Sequence, residues 1–312
     1  MALLWLLLYL VLIVLALAAS VKIYSLVTVG RCTSTRDMSG KTVIITGASR
    51  GIGKETAREL CRRKARVILA CRDVNKARAT AEEIGRDTGV RPLCMRLDLC
   101  SFASIRQFAS QVVAQEERLD VLINNAGILP PPTRTETEDG FETTFQANYL
   151  GHFLLTNLLL GLLKKSSPSR IINVGSLAHW FATFDTDVGF QQYRRIQVYP
   201  KAKLYVALFT MELARKLADT GITVNCVHPG IVKSELTRRA QDFYSRASSL
   251  LVDCFGKSVE DGAQTSIHLA VSKEVEGVSG KMFADCKPTF SFGNEHDAQI
   301  LWDMSQKMAR LC

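Results

Sequence analysis

The chain is organised around residues 42–53, which read Thr42-Val43-Ile44-Ile45-Thr46-Gly47-Ala48-Ser49-Arg50-Gly51-Ile52-Gly53. A short β-rich run leads into a glycine-rich loop, and a helical stretch follows from Lys54 to Arg63. Glycines allow tight turns and close approach of the backbone to a ligand, and a helix start offers free N–H groups to a pyrophosphate. The spacing Gly47-x-x-x-Gly51-x-Gly53 differs from the usual Gly-x-Gly-x-x-Gly, and an ordinary turn is the alternative. In this strand–loop–helix setting it predicts a dinucleotide-binding loop.

Strand-like and helix-like segments alternate after this loop. The β-rich runs occupy 66–71, part of 92–98, 120–124, 170–174 and 222–227, and helical stretches cover 75–85 and 101–115. Nearly continuous apolar strands with helices between them are typical of a parallel sheet covered on both faces. The sequence therefore predicts an α/β fold with a doubly wound parallel sheet, in a single domain over residues 41–290. A C-terminal helix or tail is expected over 291–312.

The end of the second strand should indicate which dinucleotide binds. An Asp or Glu there would hydrogen-bond the 2′-hydroxyl of NAD. This chain has Cys71-Arg72-Asp73 at that point and Arg50 in the glycine loop. Two guanidinium groups near the adenosine ribose favour a 2′-phosphate, and therefore NADP(H). Asp73 leaves an alternative open, since it could bind the ribose or serve as the N-cap of the next helix.

A tyrosine and a lysine lie four residues apart in Tyr199-Pro200-Lys201-Ala202-Lys203. This spacing puts Tyr199 and Lys203 on one face of a helix, about one turn apart. An ammonium group near a phenol favours the phenolate, which would make the tyrosine a better proton carrier near neutral pH. Alone the pattern is weak, because such pairs also occur by chance on helix surfaces.

The N-terminus is apolar. Residues 1–21 carry no charged side chain and are rich in leucine, and a helix of this length can cross a hydrocarbon core of about 30 Å. The first cations, Lys22, Arg31 and Arg36, follow the run and predict that this side faces the cytosol. We expect a membrane anchor over 1–21 and a linker over 22–40. A cleaved signal peptide and a shallow hairpin are the alternatives.

The composition narrows the class of protein. The chain has 312 residues, a formal net charge of +9 and 47% hydrophobic residues. Its basic residues form short, scattered clusters, which we interpret mainly as solvated faces; an anionic cofactor or membrane surface is the next interpretation, and nucleic acid is not expected. Nine cysteines without a Cys-x-x-Cys pair predict neither a disulfide framework nor a metal site. Cys71 and Cys226 lie in strand-like runs and are expected to be buried.

Taken together, these motifs resemble the short-chain dehydrogenase/reductase family, from about Lys41 to Asp285. The resemblance implies a Rossmann-type fold. It rests on segments that follow one another in the family's order: 46–53, Asp98-Leu99, Asn124-Asn125-Ala126-Gly127, Asn148, Ser176, Tyr199-x-x-x-Lys203 and 229–234.

Within the family the chain resembles the membrane-anchored retinol dehydrogenase group. The segments that carry this resemblance are 69–73, 148–153, His228-Pro229-Gly230 and Ser234-Glu235-Leu236, together with the N-terminal anchor. Two features depart from the group. Tyr149 stands where that group often has His, and the segment 179–198 is particular to this chain. Both departures are expected near the reacting centre.

The resemblance implies roles for individual residues. Tyr199 would exchange a proton with the substrate oxygen, Lys203 would lower the pKa of Tyr199, Ser176 would hydrogen-bond the same oxygen, and Asn148 would hold a water that links Lys203 to solvent. His179 and His228 are expected to be packing or loop residues. The implied cofactor-binding residues are Gly47, Ser49, Arg50, Gly51, Ile52, Gly53, Arg72, Asp98, Asn125, Ala126, Gly127, Tyr199, Lys203, Pro229, Gly230, Val232 and Ser234.

The implied function is NADP(H)-dependent interconversion of a lipophilic alcohol and its carbonyl, with retinol/retinal favoured in the reductive direction. A steroid or lipid-aldehyde substrate and a cofactor-binding scaffold without turnover are the alternatives. Residues 234–256 are expected to form an amphipathic lid over the substrate, although core packing would explain the same pattern. The implied location is the endoplasmic reticulum membrane, with the catalytic domain in the cytosol; a lipid droplet is an alternative. A homodimer formed through the helices that bear Asn148 and Tyr199 is a further expectation.

Overall fold

The structure is a computed structural model that describes most of the chain. It covers residues 29–187, 190, 192–233, 252, 256–290 and 293–311, together with Trp5, Tyr9, Ile13 and Ser20.

Eight strands of the described chain form one sheet in the order β3-β2-β1-β4-β5-β6-β7-β8. The strands are β1 (Thr42–Thr46), β2 (Arg66–Cys71), β3 (Leu93–Arg96), β4 (Val121–Asn124), β5 (Ser169–Val174), β6 (Ile222–His228), β7 (Met282–Ala284) and β8 (Lys287–Thr289). Each neighbouring pair from β3 to β7 is parallel, so the carboxyl ends of these strands lie along one edge. The predicted α/β fold with a doubly wound parallel sheet is confirmed for the strands from β3 to β7.

Helices cover both faces of the sheet. They are α1 (Gly51–Arg62), α2 (Val74–Thr88), α3 (Phe102–Gln115), α4 (Gly151–Lys165), α5 (Arg195–Lys216), α6 (Val259–Val271) and α7 (Glu295–Met308). A single α-helical turn, Thr143–Phe145, and a π-helical turn, Gln146–Leu150, lead into α4, and a 3₁₀ helix, Leu177–Phe181, follows β5.

The alternation of side chains along the strands divides the core in two. Ile44, Ile68, Leu122 and Ile171 pack on the face covered by α3, α4, α5 and α7. Their strand neighbours, such as Ile45 and Leu69, pack on the face covered by α1, α2 and α6. Because the central strands are buried on both faces, their sequences are mostly apolar and do not place a polar residue at every second position.

The ends of α2 illustrate where the predicted helix bounds differ. The prediction covered 75–85, whereas the helix begins at Val74 because Asp73 caps it, with its side chain accepting a hydrogen bond from the Lys76 N–H. Gly85 does not end the helix. The end falls at Gly89, whose φ of +74° is favourable for glycine alone.

The sheet extends beyond the six predicted strands. β7 is parallel to β6, but β8 pairs antiparallel with β7, so the sheet is not wholly parallel. Each of these strands has three residues, which is too short for a periodic pattern to reveal. Pro288 in β8 is tolerated because β8 lies at the edge of the sheet, where a missing N–H donor breaks no interior ladder.

Two predicted elements lie largely outside the described residues. Of the anchor over 1–21, the structure describes Trp5, Tyr9, Ile13 and Ser20, and of the lid over 234–256 it describes Val252 and Gly256. Within the described part of the chain, no helix combines the length and the apolar character needed to cross a membrane.

Candidate active site

A cleft of about 600 Å³ runs along the carboxyl ends of the central strands. It lies where the strand order reverses between β1 and β4, which is the place where open α/β sheets bind ligands. Its walls include most of the predicted cofactor-binding residues, namely Gly47, Ser49, Arg50, Gly51, Ile52, Gly53, Arg72, Asp98, Asn125, Ala126, Gly127, Tyr199, Lys203 and Pro229.

The glycine loop is packed tightly against the turn that follows β4. A Cβ atom on Gly47, whose φ is +67°, would lie 2.8 Å from the Ala126 Cα. A Cβ atom on Gly53 would lie 2.5 Å from the Asn125 Nδ2. These glycines are therefore required by the protein's own packing, which brings the start of α1 to the cleft.

Thr46 and His152, for which no role was predicted, connect this loop to the π-helical turn. The Thr46 Oγ1 accepts hydrogen bonds from the Asn125 and Ala126 N–H groups, both at 2.9 Å, and lies 2.9 Å from the His152 Nε2. Burial lowers the pKa of His152 to about 3, so the ring is neutral. Its Nδ1 lies 3.3 Å from the Asn148 carbonyl oxygen, a pure acceptor, so Nδ1 carries the proton and Nε2 accepts from Thr46. The i, i+4 spacing of Asn148 and His152 was the available signal.

One end of the cleft is suited to phosphate groups. The first turn of α1 contains no acidic residue, and its N-cap residue Arg50 makes no capping hydrogen bond through its side chain. The N–H groups and the positive end of the helix dipole therefore remain available to an anion. Arg72 lines the same wall, as does Lys76, which was not among the predicted cofactor-binding residues. These donors fit a dinucleotide pyrophosphate with an additional phosphate on its ribose.

The two acidic residues near this end have local partners. Asp73 is the N-cap of α2 and also lines the cleft, so its position is compatible with both roles that the sequence left open, and the Lys76 N–H lowers its pKa. The Asp98 Oδ1 accepts a hydrogen bond of 3.0 Å from the Cys100 N–H, and Asp98 lines the cleft. The adenine contact that the resemblance implies for Asp98 stays a prediction.

At the other end of the cleft, α5 presents Tyr199 and Lys203 one turn apart. The Lys203 Nζ donates to the Val174 carbonyl oxygen at 2.7 Å and lies 5.7 Å from the centre of the Tyr199 ring. Ser176 follows β5 and hydrogen-bonds Tyr199 through its side chain. The structure therefore brings together Ser176, Tyr199 and Lys203 where β5 ends.

The loop that carries Ser176 is held by two histidines, in agreement with their predicted packing roles. The His228 Nδ1 accepts from the Leu177 N–H at 3.1 Å, and burial lowers the pKa of His228 to about 4. His179 is fully buried, with its Nδ1 2.6 Å from the Ser176 carbonyl oxygen. Ser176 also caps the 3₁₀ helix by accepting from the Ala178 N–H at 3.2 Å.

The pKa values of the pair differ from the sequence-based expectation. Burial lowers the pKa of Lys203 to about 8. Burial also raises the pKa of Tyr199, and the hydrogen bond from Ser176 offsets part of that rise. Lys203 was expected to lower the pKa of Tyr199 towards neutral pH. In the protein the pKa of Tyr199 is raised instead, because the desolvation of its phenol is the larger effect. At pH 7 the phenol is protonated and the amine is charged.

Asn148 lies behind the cleft wall rather than in it. Its Oδ1 accepts from the Ile128 N–H at 2.8 Å, and its Nδ2 donates to the Ile128 carbonyl oxygen at 3.0 Å. A Cβ atom on Gly127 would lie 3.5 Å from the Asn148 Oδ1 and 3.8 Å from the Lys203 Nζ. Gly127 thus keeps open the space between Asn148 and Lys203.

Two of the predicted residues after β6 shape the site indirectly. Gly230 adopts a φ of +87°, and a Cβ atom there would lie 3.2 Å from the Lys257 side chain. Val232 is buried, and its Cγ2 would lie 2.7 Å from a Cβ atom on Gly262 in α6. Neither residue lines the cleft, because the chain turns back towards α6 after Pro229. Ser234 lies outside the described residues.

The expectation that Tyr149 lies near the reacting centre is wrong. Its side chain is buried and points into the aromatic core between α4, α5 and α7, where its hydroxyl lies 2.6 Å from the Ser305 Oγ. The segment 179–198 divides in the same way: Phe184 and Phe190 pack against Tyr205 in the core, whereas Trp180 and Phe181 are exposed.

A dinucleotide cleft that ends at a tyrosine, a lysine and a serine defines an oxidoreductase site that handles a proton next to a hydride carrier. The family model described as short chain dehydrogenase matches residues 41–245. Retinol dehydrogenase 12 of Mus musculus is 46% identical over 282 residues, covering 88% of this chain and 88% of that protein. Retinol dehydrogenase 13 of Homo sapiens is 46% identical over 304 residues, covering 94% of this chain and 92% of that protein.

A solved structure shows the same fold. A short chain dehydrogenase of Shigella flexneri 2a str. 301, complexed with NADP, has a TM-score of 0.66 and 25% identity, covering 81% of this chain and 100% of that chain. The chain belongs to the short chain dehydrogenase family and is an oxidoreductase. The resemblance to the retinol dehydrogenase group is confirmed by the two relatives.

Proposed function

We propose that this protein is an NADP(H)-dependent oxidoreductase that interconverts retinol and retinal, with reduction of the aldehyde as the favoured direction. The observation that carries the proposal is the cluster of Ser176, Tyr199 and Lys203 at the end of a cleft whose opposite wall carries Arg50, Arg72 and Lys76. The relatives named retinol dehydrogenase and the neighbour complexed with NADP support the choice of substrate and cofactor.

The phosphate end of the cleft supports NADP(H). The start of α1 would take the pyrophosphate, and the guanidinium groups of Arg50 and Arg72 would take a 2′-phosphate in charge-assisted hydrogen bonds. One Asp73 oxygen accepts the Lys76 N–H as the N-cap of α2 and the other lies 3.5 Å from the Lys76 Nζ, so the preference for NADP(H) is proposed from Arg50 and Arg72. The bound cofactor would supply or accept the hydride.

The protonation states of the site support reduction. Tyr199 holds its proton at pH 7, because burial raises its pKa, so it is ready to donate to a carbonyl oxygen that gains negative charge. The Ser176 hydroxyl would donate a second hydrogen bond to that oxygen. The Lys203 ammonium, 5.7 Å from the phenol ring, would stabilise the phenolate that remains. In the reverse direction the same phenolate would remove the proton of the alcohol.

Asn148 would complete the path by which Tyr199 regains its proton. A Cβ atom on Gly127 would lie 3.5 Å from the Asn148 Oδ1 and 3.8 Å from the Lys203 Nζ, and a water in this space would connect Asn148 with Lys203. We propose that protons pass from solvent through this water to Lys203 and then to Tyr199.

An apolar rim supports a lipophilic substrate. We define the rim as five exposed side chains, Leu177, Trp180, Phe181, Ile196 and Ile231, each within five residues of Ser176, Tyr199 or Pro229 in the sequence. Phe181 is 84% exposed and Ile196 80% exposed. Exposed apolar side chains close in sequence to the reacting groups suit a substrate that arrives from a lipid phase.

The membrane location belongs to the same proposal. An anchor over 1–21 would place the domain on the cytosolic face of the endoplasmic reticulum, because the first cations follow the apolar run. Protease added to sealed microsomes should then digest the domain, and protection of the domain would overturn this topology. The homodimer stays a prediction. Since α7 packs on α4 and α5, a pair would have to use the faces of these helices that α7 leaves uncovered.

A substrate panel tests the function. Purified full-length protein in detergent would be given all-trans-retinal, a steroid ketone or a long-chain fatty aldehyde, each with NADPH and with NADH. We expect the highest kcat/KM with retinal and NADPH. A steroid or fatty aldehyde that is turned over while retinal is not would reject the retinoid assignment, and NADPH binding without any turnover would indicate a scaffold.

A further inference from the structure

The π-helical turn Gln146–Leu150 is an interruption at the entrance to α4. The Gly151 N–H bonds to the Gln146 carbonyl oxygen, five residues back instead of four. Such turns are wider and less stable than an α-helical turn, so neighbouring contacts must hold them. Asn148 is the middle residue of this turn, and Tyr149 follows it directly.

Tyr149 fixes the turn from the side remote from the cleft. Its ring is buried against Phe145 and Tyr205, each with ring centres 5.6 Å away, and against Phe209 at 6.1 Å. Its hydroxyl lies 2.6 Å from the Ser305 Oγ in α7. Because the Ser305 hydroxyl donates its own proton to the Leu301 carbonyl oxygen at 2.7 Å, Tyr149 is the donor in this bond.

The helix that supplies Ser305 is itself firmly attached. Trp302 packs on Phe153, with ring centres 5.0 Å apart, and stacks on Phe209 at 6.1 Å. The Lys216 Nζ lies 4.9 Å from the centre of the Trp302 ring. The Arg106 Nη2 donates to the Ala309 carbonyl oxygen at 2.9 Å. Helix α7 therefore offers a fixed point for Tyr149, although it lies beyond the residues 41–245 that define the family.

We propose that Tyr149 and Ser305 are positioning residues, which hold the π-helical turn so that Asn148 lies correctly beside Lys203. This inference rests on the proposed function, because it assigns a purpose to the position of Asn148. Tyr149 and Asn148 are consecutive, so a rotation of the turn that moves one side chain moves the other. On the cleft side, His152 holds the Asn148 carbonyl oxygen, and the bond between Tyr149 and Ser305 is the matching restraint from the core.

The hydrogen bonds of Tyr149 and Ser305 predict that the single variant Ser305→Ala is impaired more than the double variant Tyr149→Phe/Ser305→Ala. Replacing Ser305 by Ala leaves the Tyr149 hydroxyl buried without its acceptor, which drives the ring to move. Replacing Tyr149 by Phe removes the hydroxyl and leaves Ser305 bonded to Leu301, so little needs to move. The double variant Tyr149→Phe/Ser305→Ala has no orphaned group and should be close to the single Tyr149→Phe variant.

The test measures this order in the full-length protein. We expect Ser305→Ala to lower kcat for retinal reduction by about 5- to 10-fold, with the Kd of NADPH within about twofold of wild type. Tyr149→Phe/Ser305→Ala and the conservative Ser305→Thr should stay within about threefold of wild-type kcat. The alkaline limb of the pH profile should move by about half a pH unit in Ser305→Ala alone, because the surroundings of Lys203 change. Ser266→Ala is the matched control, since Ser266 is buried on α6 and its Oγ has no hydrogen-bond partner among the described residues.

Hydrogen exchange separates this inference from the proposed function. In Ser305→Ala, the amides of 146–150 should exchange faster than in wild type, and in the double variant the exchange should return towards wild type. A Ser305→Ala variant with unchanged exchange at 146–150, or a double variant as impaired as Ser305→Ala, would overturn the inference. If wild type reduces no carbonyl, the proposed function fails, and the exchange pattern still decides whether this pair holds the turn.

Discussion

The two halves of the sheet hold their parts of the cleft in different ways. On the side of β1 to β4, the backbone forms the site: Gly47 and Gly53 pack against the turn at 124–127, and the Thr46 Oγ1 accepts two backbone N–H groups. On the side of β5 and β6, the reacting groups are the side chains of Ser176, Tyr199 and Lys203. We therefore expect changes in the first half to act mainly on cofactor affinity and changes in the second half to act mainly on turnover.

A large difference between the halves should come from Ser176. We expect Ser176→Ala to lower kcat by about 100- to 1,000-fold, because the developing charge on the substrate oxygen loses a donor. The Kd of NADPH, measured by the fluorescence of the bound cofactor, should change by less than about threefold, because the phosphate end is untouched. Ser176→Thr is the control, since it keeps the hydroxyl and the cap of the 3₁₀ helix. A loss of NADPH binding equal to the loss of kcat would break the division between the halves.

In the cofactor half, Arg72 should behave in the opposite way. Arg72→Ala is expected to raise the KM for NADPH by about 10- to 100-fold, because a charge-assisted hydrogen bond to the 2′-phosphate is lost. The KM for NADH and the kcat at saturation should change little. Arg78→Ala is the matched control, because Arg78 is an exposed arginine on α2 that does not line the cleft. Equal effects on NADPH and NADH would contradict the assignment of Arg72 to the phosphate.

A smaller effect is expected where the backbone itself forms the site. A Cβ atom on Gly53 would lie 2.5 Å from the Asn125 Nδ2, so Gly53→Ala must displace the turn after β4. We expect a loss of about 1–3 kcal/mol in stability and a weaker affinity for NADPH by about 10-fold. Gly161→Ala is the control, because no atom lies within 4 Å of its Cβ position on α4, and we expect it to be neutral or slightly stabilising. A stable Gly53→Ala variant with unchanged affinity would show that the packing in this half is loose.

The smallest effect concerns the stability cost of the buried Lys203. Its pKa is about 8 in the folded protein, below the 10.5 of a free lysine, so the unfolded chain binds more protons between these values. This makes the cost of burying the amine greatest below pH 8 and lets it diminish as the pH rises. We expect the free energy of unfolding of wild type, relative to Lys203→Met, to increase by about 1 kcal/mol between pH 7 and pH 9.

Urea denaturation of wild type and of Lys203→Met at pH 7 and pH 9 measures this difference in the free energy of unfolding. Using the difference cancels buried thiols that do not interact with Lys203, such as Cys61, whose raised pKa values act in the opposite direction. A difference that is independent of pH would contradict the depressed pKa of Lys203.

The same contrast explains what the sequence could and could not predict. The first and last residues of β1 and β2 were predicted correctly, because buried parallel strands are apolar runs in the sequence. The glycine loop that follows β1 also indicates where that strand ends. Most residues around the cleft could be predicted because they follow the end of a strand, whereas Tyr199 and Lys203 were predicted from their spacing on a helix. Gly89 as the end of α2 was missed because Gly85 is an equally good breaker by composition, and the decision depends on packing.

The structure on the side of β5 and β6 depends on contacts between residues that are far apart in the sequence, which a local sequence pattern cannot indicate. Ser305 is 156 positions from its partner Tyr149, and nothing near Tyr149 in the sequence indicates that its hydroxyl points into the core. The three-residue strands β7 and β8 are likewise fixed by pairing with β6 rather than by their own composition. The net rise in the pKa of Tyr199 could not be predicted either, because it depends on how deeply the phenol is buried.

The most direct test of the central claim is a single-turnover experiment on Tyr199→Phe. Enzyme loaded with NADPH would be mixed with all-trans-retinal, and the loss of NADPH absorbance would be followed after its binding is confirmed by fluorescence. We expect Tyr199→Phe to bind NADPH within about threefold of wild type and to oxidise it about 100- to 10,000-fold more slowly. A variant that binds NADPH normally and reduces retinal at more than about a tenth of the wild-type rate would contradict the assignment of Tyr199 as the proton donor.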